Sequence, residues 1–351
     1  MPNNNNKKIK LVLCWHMHQP EYRDLSTGEY ILPWTYLHAI KDYVDMAAHL
    51  EAVPTAKVVV NFAPVLLEQI EDYARQLQDY LHDRIAIRDP LLAALVGVSI
   101  PSDPDDRLTL VKNCMRANRG RQIDRYPYFS RLVEMAEWLE SHHDAIKYAN
   151  SQFIADMLVW YHLSWLGEIV KKTDFRIKRL LEKGANYTLH ERIEMAEVIS
   201  ELLASVILRY KALAKKGQVE LSLTPYAHPI MPLLLDIRSA HQAMPEAPLP
   251  QMDNYPGGDE RVRWHIQKGI QAFKRFFGFV PRAAGHRKAV SAERRCSCWP
   301  KPDSAGLPAA ARCCRTASSM HQRRSVTASI TPIRWTAPTS AVFFAMTGFR
   351  I

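Results

Sequence analysis

The stretch Ile9-Lys10-Leu11-Val12-Leu13-Cys14-Trp15-His16-Met17-His18-Gln19-Pro20 decides the fold. Its apolar run, Ile9 to Cys14, reads as a buried first strand, and polar groups begin where that run ends. Alternation puts His16 and His18 on one side of an extended chain, and Pro20 ends regular pairing because it has no amide hydrogen. In β/α folds the C-terminal edge of the sheet is where ligands bind. Two readings of the pair therefore stand side by side: a ligand-facing rim, or two hydrogen-bonded structural histidines. A metal site is not expected. His-x-His needs further ligands, and no His-x-x-x-His or Cys-x-x-Cys in the first 282 residues supplies them.

Outward from this strand the chain alternates. A polar turn containing Gly28 leads through Pro33-Trp34-Thr35-Tyr36-Leu37-His38 to a helical pattern from Ala39 to Leu50. Lys57-Val58-Val59-Val60-Asn61-Phe62 is a short β-branched strand, closed by Pro64 before the helical Val65 to Leu81. Two strand-then-helix units predict a parallel sheet. Between Asp89 and Tyr148 the pattern is helical or irregular, and the arginines at 116, 119, 121 and 125 read as a solvated face. The aromatic run Phe153 to Leu166, with Trp160, Tyr161, His162 and Trp165, reads as core, with a sugar-stacking surface as the alternative.

A long amphipathic helix from Glu191 to Lys216 is stopped by Gly217. A third strand follows in Gln218-Val219-Glu220-Leu221-Ser222-Leu223 and runs into a second polar cluster, Thr224-Pro225-Tyr226-Ala227-His228-Pro229. Glu220 alternates with apolar neighbours, so it faces solvent at the strand start or, in a closed barrel, points inward. After a Pro/Gly-rich loop another helix runs from about Arg261 to Phe277, and Gly278 turns it into Phe279-Val280-Pro281-Arg282. A fourth strand is due there, and the sequence does not continue as one.

Composition changes at the same place. The formal net charge is +10, but residues 283–351 hold 11 Lys and Arg against only Glu293 and Asp303, which leaves the first 282 residues close to neutral. That distribution removes the case for nucleic-acid binding by the body of the protein. Cys296, Cys298, Cys313 and Cys314 also fall in the tail, where neither a disulfide pair nor a metal knot is preferred. The segment Met1 to Lys10 is polar and basic, and the apolar run after it is too short for a leader or a membrane span, so a cytoplasmic location without membrane contact is expected.

With both polar clusters in hand, residues 8 to 282 resemble the N-terminal part of a family 57 glycoside hydrolase, the α-amylase and 4-α-glucanotransferase family. The matching pieces are His16-Met17-His18-Gln19-Pro20, Val60-Asn61-Phe62-Ala63-Pro64-Val65-Leu66, Gly217-Gln218-Val219-Glu220 and Thr224-Pro225-Tyr226-Ala227-His228-Pro229-Ile230. The resemblance implies an α/β fold, an incomplete (β/α)7-type barrel with parallel strands. It implies retaining chemistry on α-glucans with a glutamate nucleophile and an aspartate acid/base. It also implies that His16, His18, Gln19, Glu220, Tyr226 and His228 bind α-glucan or maltooligosaccharide, with no cofactor. None of these is the nucleophile or the acid/base.

The chain departs from the family where those carboxylates should begin. After Val280-Pro281-Arg282 a Trp-Pro-Ser-Glu-Gly segment is due, and the sequence reads Ala283-Ala284-Gly285-His286-Arg287-Lys288. The codon table offers an explanation. If the third base of each tail codon is joined to the first two of the next, the pairs from Ala284-Gly285 to Lys288-Ala289 permit Trp, Pro, Ser, Glu and Gly in order. In that same frame Trp335-Thr336 and Met346-Thr347 can only give Asp, and the second lies in a permitted Arg-Asp-Asp-Gly resembling the acid/base motif. The expectation is a frameshift near Arg282. Residues 1–282 then form a partial barrel, and residues 283–351 a basic tail without a packed fold of its own. The chain is carbohydrate-active by descent and catalytically defective as translated. The alternative is a non-catalytic carbohydrate-binding or interaction protein using the barrel rim.

Overall fold

The computed structural model describes residues 10–252, 254–279, 332–335 and 341–347. In chain order the strands are β1 (Lys10–Met17), β2 (Val58–Phe62), β3 (Val219–Leu223), β4 (Pro332–Trp335) and β5 (Ala341–Thr347). The helices are α1 (Trp34–His38), α2 (Val44–Ala52), α3 (Pro64–Asp83), α4 (Pro90–Val96), α5 (Pro104–Cys114), α6 (Pro127–Ser141), α7 (Ser151–Trp165), α8 (Glu168–Thr173), α9 (Phe175–Lys183), α10 (Leu189–Lys215), α11 (Met231–Leu235) and α12 (Gly258–Phe277). A π-helical turn, Ala39–Tyr43, joins α1 to α2, so the helical stretch expected from Ala39 begins at Trp34, just after Pro33.

The described residues fall into two compact units. The first draws on Met1–Glu21, Pro54–Glu68 and Tyr210–Phe349. It holds one sheet in the order β3-β2-β1-β5-β4. The three strands expected from sequence lie side by side and parallel, with Cys14, Val59 and Glu220 level with one another and His16, Asn61 and Ser222 two residues further on. β1 is longer than the apolar run suggests and continues through His16 to Met17. Where its side chains are described, Val12 to His16 are half-buried and Met17 is buried. Trp15, Met17, Val60, Phe62, Leu221 and Leu223 share one face of the sheet, while Cys14, His16, Asn61, Ser222 and Glu220 share the other.

The apolar face is covered by the helices that follow the strands. Phe62 packs edge-on against Tyr210 at 5.2 Å between ring centroids and against Phe277 of α12 at 5.8 Å. Both long helices of this unit stop where glycine allows the left-handed turn: Gly217 has φ +72° and Gly278 φ +85°. The Gln218 amide bonds back to the Leu213 carbonyl at 3.1 Å, and the Gln218 carbonyl then accepts from Val58 at 3.0 Å, which sets β3 against β2. Pro64 starts α3 at a position where no amide hydrogen is needed. The tail enters this sheet as well. β5 runs parallel to β1 with Thr347 level with His16, and β4 is antiparallel to β5. These described parts of the tail extend the sheet of the body. The fourth strand due near Val280, the residues at 283–288 and the tail cysteines lie outside the described residues.

The second unit, Tyr22–Val53 with Gln69–Arg209, is helical. Its centre is α7, buried from Phe153 to Trp165. The aromatic run is therefore core, and two of its polar side chains are paired inside: Trp160 donates to the Gly184 carbonyl at 2.7 Å, and Tyr36 bonds His162 Nε2 at 3.0 Å. Caps follow the sequence. Asp89 accepts from the amides of Leu91 and Leu92, and Thr188 with Glu191 forms a reciprocal capping box at the start of α10. Arg119 pairs with Asp124 and Glu137, and Arg125 with Glu168, in keeping with a solvated charged face.

Candidate active site

The site lies in the first unit, at the C-terminal ends of β1 and β3. His16 projects from β1 on the polar face, and its Nδ1 lies 2.7 Å from Asn61 Oδ1. Asn61 in turn donates from Nδ2 to Ser222 Oγ at 2.8 Å. Because the amide nitrogen of Asn61 is used on Ser222, its oxygen must accept, and His16 carries its hydrogen on Nδ1. In the neutral ring the lone pair is then on Nε2. One polar side chain from each of three adjacent strands thus forms a row across the sheet.

His18 and His228 complete the cluster. The turn after β3 closes with the His228 amide bonding the Pro225 carbonyl at 2.8 Å. His228 takes φ +54°, a left-handed conformation uncommon outside glycine. That turn brings its ring to 4.4 Å from His18 and 5.0 Å from His16, and the His16 and His18 rings stack 5.7 Å apart. Burial first, and then the neighbouring His228 and His16, hold the His18 imidazole down at about 4. It is neutral at ordinary pH. Neutral imidazoles donate and accept hydrogen bonds without a net charge, which suits the hydroxyls of an uncharged polyol.

The other expected residues occupy different places. Gln19 follows β1 directly and is half-buried. Glu220 is exposed, on the same face as Asn61 and Ser222 but two residues lower on β3, about 7 Å at the rise of an extended strand. Of the two sequence alternatives for Glu220, the structure shows the first: it is exposed near the start of β3. Tyr226 lies on the turn between β3 and His228, and its hydroxyl donates to Glu68 of α3 in a short contact. Its amide bonds the His265 carbonyl of α12 at 2.9 Å, its ring meets Trp264 edge-on at 5.5 Å, and Lys268 Nζ stands 5.4 Å from its centre. Burial, then Arg261, lowers the His265 imidazole.

Sequence reasoning singled out neither the Asn61–Ser222 relay nor Glu68. The signal for the first was present, since Asn61 is the one polar residue in the apolar run Val58 to Phe62. Among the described residues, no group of three or more His, Cys, Asp or Glu is disposed to hold a metal ion. No described helix is long and apolar enough to cross a membrane.

Parallel strands alternating with helices, and a polar cluster assembled at their C-terminal ends, define an α/β chain of the kind whose rim binds ligands. The sequence profile of glycosyl hydrolase family 57 matches residues 12–286, most of the chain. The protein belongs to this family of carbohydrate-active enzymes. Similar solved structures include a GH57-type branching enzyme from the hyperthermophilic archaeon Pyrococcus horikoshii, at 15% identity and TM-score 0.32, covering 78% of this chain and 34% of that one. A GH57 branching enzyme from Thermococcus kodakaraensis has 15% identity and TM-score 0.34, covering 78% and 32%. The alpha-amylase from Thermotoga maritima has 12% identity and TM-score 0.32, covering 78% and 34%. The chain thus spans about a third of the length of these structures. No curated protein matches it significantly.

Proposed function

We propose that this chain descends from a cytoplasmic retaining α-glucan hydrolase or glucanotransferase, that His16, His18, Gln19, Glu220, Tyr226 and His228 line its glucan-binding rim, and that the chain as translated is catalytically defective. The observation that carries the reading is the His16/His18/His228 cluster at the strand ends of a family 57 chain. The defect rests on sequence: residues 283–288 read Ala-Ala-Gly-His-Arg-Lys where the nucleophile segment is due. Loss of either catalytic carboxylate costs several orders of magnitude in rate, because the covalent and proton-transfer contributions act as a unit.

A reading-frame shift near Arg282 is part of this proposal. The register of β5 supports it. Met346-Thr347, which the neighbouring frame can only read as Asp, sits at the end of a strand parallel to β1, with Thr347 level with His16. An aspartate regained there would stand at the same rim. A second reading, non-catalytic carbohydrate binding, is favoured by one observation: the histidine cluster is assembled from residues before 283. The experiment is to correct the frame at one junction near Arg282 and to assay both proteins on starch, amylose and maltooligosaccharides. Activity confined to the corrected chain is expected. Activity of the uncorrected chain, with none from a folded corrected one, would overturn the assignment.

A further inference from the structure

We propose a second glucan-binding site on the helical unit, in the groove between α6 and the 3-10 turn His143–Tyr148. This groove has a volume of about 570 Å³. Arg131, Glu134, Met135 and Trp138 lie on it at helical spacing, so one stripe of α6 faces it. Ala145 and Tyr148, three residues apart on the 3-10 turn, form the other wall. The sequence alternative of a sugar-stacking surface was attached to the run Phe153 to Leu166, which the structure buries. Two exposed rings lie here: Trp138 is 54% exposed and Tyr148 83%.

The groove has the chemistry of a pyranose platform. A glucose unit offers an apolar C–H face and a rim of hydroxyls. Trp138, Tyr148 and Met135 supply apolar and aromatic surface, and Arg131 and Glu134 are among the residues that line it. The indole is also held in place before any ligand arrives. It stacks on His142 at 4.4 Å and 17°, and His142 Nδ1 bonds the Trp138 carbonyl at 2.9 Å. A ring already fixed loses little freedom on binding.

That the sugar is an α-glucan rests on the family reading above. The test is gel retardation of the full chain in glycogen and amylopectin, together with tryptophan fluorescence during titration with maltoheptaose. Trp138→Ala and Tyr148→Ala should each weaken retardation by about tenfold, the scale of removing a central ring from a binding surface. Trp138→Phe should keep retardation near wild type while removing the part of the fluorescence response that Trp138 reports. His16→Ala and His18→Ala, at the other site, should leave that response intact. Retardation unchanged in Trp138→Ala, or absent in the wild-type chain, overturns the second site without touching the catalytic reading, which stands or falls on the frame-corrected enzyme. A change in sedimentation on Trp138→Ala with no change in retardation would reassign the groove to protein contact and also overturn it.

Discussion

Replacing Asn61 by alanine should damage the sheet and the site together, by an amount the structure allows to be worked out. Asn61 is buried and makes two hydrogen bonds, to His16 Nδ1 at 2.7 Å and to Ser222 Oγ at 2.8 Å. Each bond contributes about 1 kcal/mol net, and a buried hydroxyl left without its partner costs about 1–3 kcal/mol more. Asn61→Ala is therefore expected to lose about 3–5 kcal/mol. Removing the orphan as well, in Asn61→Ala/Ser222→Ala, should recover part of that, with a coupling energy of about 1 kcal/mol in the double-mutant cycle. Urea midpoints at constant slope measure the stability, and 15N shifts of the His16 ring report which nitrogen carries the hydrogen. His16 should lose its single tautomer in Asn61→Ala. A loss below about 0.5 kcal/mol with an unchanged His16 tautomer would refute the relay.

Two further perturbations bear on the helical unit and on the rim. Burial holds His162 down at about 4 and pushes Asp89 up to about 6. Between about pH 4 and 6.5 the folded state binds fewer protons at His162 than the unfolded chain does, so stability rises with pH. Between the unfolded carboxylate value and about 6 it binds more at Asp89, so stability falls with pH. The two nearly cancel. Asp89→Asn, which keeps an oxygen for the cap and turns an amide NH2 toward the Tyr73 hydroxyl, should expose a slope of about 1.4 kcal/mol per pH unit in urea midpoints measured across pH 4–6, and a slope no steeper than wild type would contradict the assignment. Gly269→Ala puts a Cβ at 3.1 Å from the Tyr226 amide nitrogen and 3.3 Å from Leu223 Cδ1. Overpacking of about 1–3 kcal/mol should outweigh the helix-propensity gain of about 1 kcal/mol, so a more stable variant by thermal melting would argue against this close approach of α12 to the rim.

The sheet and its rim were legible because their signals are local. β-branched runs, the glycine stops at 217 and 278, and prolines at 20 and 64 each act through backbone geometry at their own position. The histidine pair on β1 was legible from alternation alone. Its meeting with His228 was read through motif resemblance, because it depends on a left-handed turn that a histidine gives no warning of. The Asn61 relay was missed for a related reason. Alternation tells which face a side chain takes, but not that His16, Asn61 and Ser222 come level, which the register between strands far apart in sequence decides. The aromatic run of α7 was readable as core because that stretch is apolar nearly all round, whereas Trp138 lies on the more amphipathic α6, where the sequence alone does not say which rings stay exposed.

The sheet order makes one more consequence measurable. β3 ends the row β3-β2-β1-β5-β4, so among the described residues its outer edge meets no strand. Its polar face carries the exposed Glu220 in a register that a closing barrel would turn inward. A barrel removes strand edges by closure, and an unclosed one presents backbone donors and acceptors that pair with other chains. Self-association of the translated chain through this edge is therefore the expected outcome, and restoring the frame should suppress it by supplying strands to close the sheet. Light scattering of the two proteins at equal concentration checks this, with hydrogen exchange at Val219–Leu223 locating the contact. Protection of that strand should rise with concentration in the translated chain alone. If the translated chain stays monomeric, with β3 amides exchanging at the same rate in both proteins, the strand edge is already satisfied and the argument from closure fails.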